Sequence, residues 1–312
     1  MLQEFLGGAL ALVPGLMRWP PLTIISARCE TNMNNSCPKY LDLGTAAATR
    51  RIAVRTQEGK GPGLLWLGGF KSDMHGTKAQ ALAAWAAQQG RACVRFDYAG
   101  HGESSGDFAD CTIATWVEDS LAVFDAFCRG EQVLVGSSMG GWIALLLLRE
   151  LKRRAAAGRS AAATPAGLVL IAPAVDFTEV LMWQKLPPEV KQTIEREGAW
   201  ARPSAYSAEP YPITKRLIED GRKHLLLGGL IETGCPVRIL QGVQDPDVPW
   251  THAVELSSRL AQDDVVLTLV KDGDHRLSRP EDIERLLHVI EEFDHSVPPS
   301  SPAANNSRNP SR

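Results

Sequence analysis

The chain carries a serine, an aspartate and a histidine whose order and local settings suit nucleophilic attack on a carbonyl. Val133-Leu134-Val135 runs straight into Gly136-Ser137-Ser138-Met139-Gly140-Gly141, and a helix-forming stretch follows. G-x-S-x-G between a strand and a helix is the pattern of a tight elbow that exposes its central serine, here Ser138. The competing reading of the same residues is a Gly/Ser-rich loop that cradles phosphate.

A serine hydroxyl is a weak nucleophile until an imidazole takes its proton, and that imidazole needs a carboxylate to fix its tautomer. The apolar run Ile239-Leu240 delivers Asp245 in Gly242-Val243-Gln244-Asp245-Pro246-Asp247-Val248-Pro249-Trp250, and Leu269-Val270 delivers His275 in Asp272-Gly273-Asp274-His275. Ser138, Asp245 and His275 would then sit on loops at the ends of three apolar runs. Asp247, two residues on, and Asp176, behind the preceding apolar run, remain open as alternative acids. Asp274 is too near His275 in sequence to reach its ring. Ser137 and Ser278 read as capping or turn hydroxyls, and His101, in Ala99-Gly100-His101-Gly102, as a structural residue. His75, His224, His252, His288 and His295 carry no partner signal.

Attack on a carbonyl builds negative charge on its oxygen, and two preorganised backbone N–H groups should meet it. Met139, the residue after the candidate nucleophile, offers one. The loop Leu67-Gly68-Gly69-Phe70 offers the other at Phe70, against the simpler reading of a plain Gly-Gly turn. This chemistry needs no metal and no organic cofactor.

The elements that must position these residues alternate strand and helix. Gly63–Leu67, Ala92–Phe96, Gln132–Val135, Leu168–Ala172, Val237–Leu240 and Val265–Val270 read as short buried strands. Thr77 is placed to cap a helix that ends at Gly90. Val117, Leu121, Phe124 and Cys128 form a helical stripe, and a last helix from Pro280 should bury Ile283, Leu286, Leu287, Ile290 and Phe293. Such alternation implies right-handed crossovers and a mostly parallel sheet with helices on both faces, an α/β fold. Two stretches break the rhythm. Residues 152–167 (KRRAAAGRSAAATPAG) read as a low-complexity surface insertion. Residues 178–235 are far longer than a crossover needs and read as a small helical cap over the site. Within the cap, Trp183 and Trp200 are candidates to line a substrate pocket, and equally usual as packing between cap and sheet.

The expected organisation is an N-terminal extension or leader over 1–49, a catalytic domain over 50–295 and a disordered tail over 296–312. The apolar stretch 6–17 is broken by Gly7, Gly8, Pro14 and Gly15 and falls short of the about 20 residues that span a bilayer. The tail is Ser, Pro, Asn and Ala, with nothing large to bury.

Composition bounds the function class. With 312 residues, 44 % of them hydrophobic, there is material for a full core, which excludes wholesale disorder. A net charge of −3 gives the chain no electrostatic reason to seek nucleic acid. Six scattered cysteines (29, 37, 93, 111, 128, 235) make neither a CxxC pair nor a zinc-spaced cluster, so a reducing compartment fits better than a disulfide framework. Cys93 and Cys128 read as small buried residues.

Taken with Phe96-Asp97-Tyr98-Ala99-Gly100-His101-Gly102-Glu103-Ser104, these motifs make the chain resemble the α/β-hydrolase superfamily. It is similar more narrowly to the branch of mitochondrial acyl-protein thioesterases and mycophenolic acid acyl-glucuronide esterases. The matching pieces are Met74-His75-Gly76-Thr77-Lys78-Ala79, Ser138-Met139-Gly140-Gly141-Trp142, Cys235-Pro236-Val237-Arg238, Val248-Pro249-Trp250, Asp274-His275-Arg276 and the stretch from Ala199-Trp200 to Tyr206-Ser207. Similar bacterial hydrolases also carry Gly69-Phe70-Lys71-Ser72-Asp73-Met74. The resemblance covers about residues 50–293. It implies a serine hydrolase of thioesters or carboxylic esters, with an S-acylated protein (depalmitoylation) or a small acyl conjugate as substrate. It implies an intracellular setting, mitochondrial or bacterial cytoplasmic, and no stable membrane insertion. The alternatives are a catalytically silent fold that binds a ligand or partner, and a C–C or peptide hydrolase on the same triad.

Overall fold

The computed structural model describes residues 24–29, 38–45, 48–159, 161–203, 210–260 and 264–294. The expected leader at 6–17, the tail at 296–312 and Tyr206 lie outside them.

Three antiparallel strands come first: β1 (Ile24–Cys29), β2 (Lys39–Thr45) and β3 (Ala48–Gln57). The sheet therefore begins ahead of residue 50, inside the stretch expected to be an extension. The reason is burial: Leu41 and Leu43 of β2 are fully enclosed beneath the helical layer, so this strand belongs to the core. Then β4 (Lys60–Leu67), helix α1 (Thr77–Gln88), β5 (Arg91–Phe96), α2 (Ile113–Phe127), β6 (Gly130–Ser137), α3 (Met139–Ala156) and β7 (Ala163–Ile171) alternate. After the insertion come β10 (Val237–Gly242), α6 (Trp250–Arg259), β11 (Val265–Val270) and α7 (Pro280–Glu291). The nine strands lie in the order β1-β2-β3-β5-β4-β6-β7-β10-β11, and every pair from β5 to β11 is parallel.

Side chains of β4 alternate between two cores, as the period of a strand requires. Leu65 and Leu67 join the core under α2 and α3, while Leu64 and Trp66 join the one under α1 and α7. The stripe Val117, Leu121, Phe124 and Cys128 is buried as its spacing implies. Burial pushes the Cys93 and Cys128 thiols up to about 12, so both stay protonated packing groups.

Two local expectations are corrected. The cap position of α1 falls to Gly76, and Thr77 is already helical, with no side-chain cap bond. Residues 152–167 are not a surface insertion. Ala and Arg are good helix formers, so α3 continues to Ala156, and β7 starts at Ala163 because its backbone pairs with β6 from Gly130 onward.

The insertion after β7 opens with two short helical turns, Thr178–Met182 and Trp183–Lys185, and continues through α4 (Pro188–Glu197). A hairpin follows, β8 (Ala199–Arg202) paired with β9 (Tyr211–Thr214), and then α5 (Lys215–Gly221). It is thus mixed and not purely helical. Asp176 staples its return to the sheet: the buried carboxylate accepts the N–H groups of Leu226 (2.9 Å) and Leu227 (2.9 Å).

Candidate active site

Ser138 occupies the turn between β6 and α3 at φ 54°, ψ −117°, a region that L-residues rarely adopt. The surrounding backbone over-determines it: Ser138 N–H donates to Ile171 O (2.8 Å), and its carbonyl accepts from Gly141 (2.9 Å) and Ala174 (3.0 Å). The elbow demands glycine at 140, where a Cβ would collide with the carbonyl oxygens of Leu67 and Gly68. Positive φ values recur around it, at Lys71 (60°), Ala172 (45°) and Leu277 (43°), the clustering of backbone strain expected where function fixes geometry.

The three candidate residues meet. His275 Nε2 lies 3.1 Å from Ser138 Oγ, and His275 Nδ1 lies 2.7 Å from Asp245 Oδ2. A carboxylate only accepts, so the proton sits on Nδ1 and the Nε2 lone pair faces the serine hydroxyl. The Asp245 carboxylate is fully buried, and Oδ1 accepts the N–H groups of Asp247 and Val248, each at 2.8 Å. Gln241 Nε2 adds a donor to Oδ2 at 3.1 Å. Every lone-pair direction of the acid is thus used, which fixes its orientation toward His275.

Of the competing acids, Asp247 meets Asp245 through its backbone, and Asp176 holds the insertion through Leu226 and Leu227. Asp274 accepts the Leu277 N–H at 3.0 Å in a turn. Ser278 donates to the Arg276 carbonyl at 3.0 Å, and Lys78 donates to both, clasping the loop that follows His275. Burial draws the Lys78 ammonium down to about 8. His75, which carried no partner signal, pairs with Glu103 at 2.8 Å, and His224 lies 3.6 Å from Asp220. Asp245, Asp247 and His275 also bring ligand-type atoms within 4.8 Å of one another, but two of the three are already committed to each other.

The Gly68-Gly69-Phe70 loop lies against the elbow: a Cβ on Gly69 would stand 3.5 Å from Ser138 Cβ. Met139 is the first residue of α3, so its N–H opens toward the helix N-terminus, where negative charge is favoured. Phe70 follows Gly69, and its ring packs edge-on against Phe108, Trp116, Phe177 and Tyr211 at 5.0–5.8 Å. Tyr211 comes from the inserted hairpin. Through it the insertion reaches this loop. Trp183 instead packs beneath the cations of Lys191 (5.6 Å) and Arg222 (5.0 Å), and Trp200 is half-buried on β8. The arrangement can pass a proton from Ser138 to His275 while charge develops beside two backbone amides.

The profile of the alpha/beta hydrolase family matches residues 62–286. The palmitoyl-protein thioesterase ABHD10, mitochondrial, of Bos taurus is 38 % identical over 246 residues, 78 % of this chain and 76 % of that protein. A crystal structure from Agrobacterium vitis S4 superposes with a TM-score of 0.79 at 47 % identity, covering 82 % of this chain and 98 % of the other. Alpha/beta hydrolase domain-containing protein 10 from mouse gives 0.70 at 34 % identity, over 81 % and 97 % of the two chains. The chain belongs to the alpha/beta hydrolase family.

Proposed function

We propose that the protein is a serine hydrolase that cleaves acyl thioesters or carboxylic esters through an acyl-enzyme, with Ser138 as nucleophile, His275 as base and Asp245 as the carboxylate that orients it. As Ser138 Oγ bonds to the substrate carbonyl carbon, its proton passes to His275 Nε2, and Asp245 Oδ2 steadies the imidazolium through Nδ1–H. The amides of Phe70 and Met139 receive the oxyanion. Collapse of the tetrahedral adduct breaks the bond to sulfur or oxygen, and His275 returns its proton to the leaving thiol or alcohol. Water then repeats the sequence on the acyl-enzyme, releasing the carboxylic acid and restoring Ser138.

The observation that carries this reading is the unbroken run of Ser138 Oγ, His275 Nε2, His275 Nδ1 and Asp245 Oδ2, with steps of 3.1 and 2.7 Å. The substrate class comes from the relatives, named palmitoyl-protein thioesterases, and points to S-acylated proteins, with small acyl conjugates as the alternative substrate. The apolar rings around Phe70 suit an acyl chain. Among the described residues no helix is long and apolar enough to cross a membrane. The relatives are named mitochondrial, and a mitochondrial address is the corresponding reading for this chain.

The test is labelling with a fluorophosphonate, followed by turnover of S-acyl peptides and acyl esters of graded chain length. Label on Ser138, lost in Ser138→Ala, with release of free thiol from an S-palmitoyl peptide, is expected. Label on Ser137, or label that survives the substitution, overturns the assignment.

A further inference from the structure

His101 stands in the turn after β5 and takes no part in the proton transfer described above. Its ring is 5 % exposed and meets Tyr98, Phe108 and Trp116 edge-on at 5.3–5.8 Å. Nδ1 lies 3.1 Å from the Ala99 carbonyl, which only accepts, so Nδ1 carries the proton. Nε2 is then an acceptor, and the Lys71 N–H donates to it at 3.1 Å. Lys71 is the residue directly after Phe70, and it is held at φ 60°, a strained conformation for a non-glycine residue.

The anchor of this contact is itself fixed. Ala99 N–H donates to Asp119 Oδ2 (2.9 Å), Trp116 Nε1 donates to the Ala99 carbonyl (3.2 Å), and buried Asp119 is held by Arg50 Nε (2.6 Å). A rigid chain therefore runs from β3 through Asp119 and Ala99 to the His101 ring and the Lys71 amide. The other end of the short loop rests on the nucleophile, through Gly69 against Ser138. Phe70 is the residue between these two fixed points, flanked by the peptide that carries its own N–H and the peptide that carries the Lys71 N–H.

We propose that His101 is a positioning residue for hydrolysis: by accepting the Lys71 N–H at Nε2, it sets the orientation of the Phe70 amide that meets the oxyanion. The proposal rests on the assignment of Ser138 as nucleophile and of Phe70 N–H as oxyanion donor. Only a neutral imidazole can serve, because an N–H at Nε2 would face the N–H of Lys71. Burial keeps the ring neutral, drawing its pKa down to about 4, with the Lys71 ammonium acting in the same direction.

The experiment compares His101→Phe, which keeps a ring against Phe108 and Trp116 but has no acceptor, with His101→Gln, which can place an oxygen near the Nε2 position. Each is measured for kcat and KM on one acyl thioester, for the Ki of a trifluoromethyl ketone with the same acyl chain, and for fluorophosphonate labelling. The ketone forms a charged adduct on serine and reports the oxyanion contacts. His101→Phe should lower kcat by about 10- to 100-fold, less than deleting a donor outright, with KM within about twofold. The ketone Ki should rise by the same factor, and His101→Gln should recover most of both losses. Equal losses in Phe and Gln variants, or a fall in kcat without a matching rise in Ki, would make His101 a packing residue and overturn the proposal. Wild-type protein that takes no label on Ser138 refutes the underlying assignment and this proposal with it, whereas a labelled wild type with equal Phe and Gln losses refutes this step alone. If His101→Phe does not fold, imidazole 15N shifts of the intact protein decide: a proton on Nδ1 is expected, and a proton on Nε2 overturns the proposal.

Discussion

The ring of Tyr211, on the second strand of the inserted hairpin, stands edge-on to the ring of Phe70 at 5.7 Å. A residue of the insertion thereby touches the loop beside the candidate nucleophile. The side chain is half-buried, and burial pushes its phenol pKa up, with Arg202 on the hairpin drawing it down and Asp247 on the acid loop adding to the rise. An acyl chain bound along the Phe70 side of Ser138 would meet this ring.

Tyr211→Ala is accordingly expected to reduce kcat/KM for an octanoyl or longer thioester by up to about tenfold, the worth of one aromatic contact. Turnover of an acetyl ester should change little. Trp183→Ala, which removes a ring from beneath Lys191 and Arg222, should lower the melting temperature and affect both substrates alike. Kinetics on the two substrates beside thermal melting check this. A chain-length effect at Trp183 and none at Tyr211 would reverse the assignment.

Asp245→Asn should lower kcat by about four orders of magnitude, because an amide in this place leaves the wrong histidine tautomer in front of Ser138. Asp247→Asn should cost less than about tenfold, since its tie to Asp245 is a backbone N–H that the substitution keeps. Steady-state kinetics on the two variants settles which carboxylate serves.

Gly140→Ala should destabilise the fold by about 3 kcal/mol or more, because the added methyl meets two backbone carbonyls that cannot move aside without opening β4. Urea denaturation measures the loss. A shift below about 1 kcal/mol would mean that the elbow is looser than its contacts indicate.

His101 also links folding to pH. Its usual pKa near 6.5 applies to the unfolded chain, and the folded value is about 4, so between these limits the unfolded state binds the extra proton. The stability it lends is complete above about pH 6.5 and is lost as pH falls toward 4, by about 2 kcal/mol between pH 7.5 and 5. His101→Gln should remove that part of the slope, read as urea midpoints at the two pH values. An unchanged slope would mean that the ring is not held neutral.

Ser138 was legible in the sequence because an elbow is local: glycine at 136 and 140, a strand before and a helix after are all written within a few residues. Asp245 and His275 were legible by their order and by the apolar runs that deliver them. Asp245 was preferred to Asp247, but that preference stayed open, since both lie on one short loop. It was decided by which carboxylate the Gln241, Asp247 and Val248 donors turn toward His275. The three N-terminal strands were missed; Lys39–Thr45 and Ala48–Gln57 mix charged with apolar residues, and only pairing across the sheet makes them strands. Composition also misled at 152–167, where a repetitive stretch hides the end of α3 and the start of β7.

The sequence by itself determined the fold class and marked the candidate nucleophile and the order of its candidate partners, because these rest on short-range periodicity and turn chemistry. The tertiary structure alone decided which acid meets the base, that His101 holds the Lys71 amide, and that Tyr211 and not Trp183 reaches the Phe70 loop. Those contacts join residues 30 to more than 100 positions apart, and their hydrogen-bond directions exist only once the sheet has brought its strand ends together.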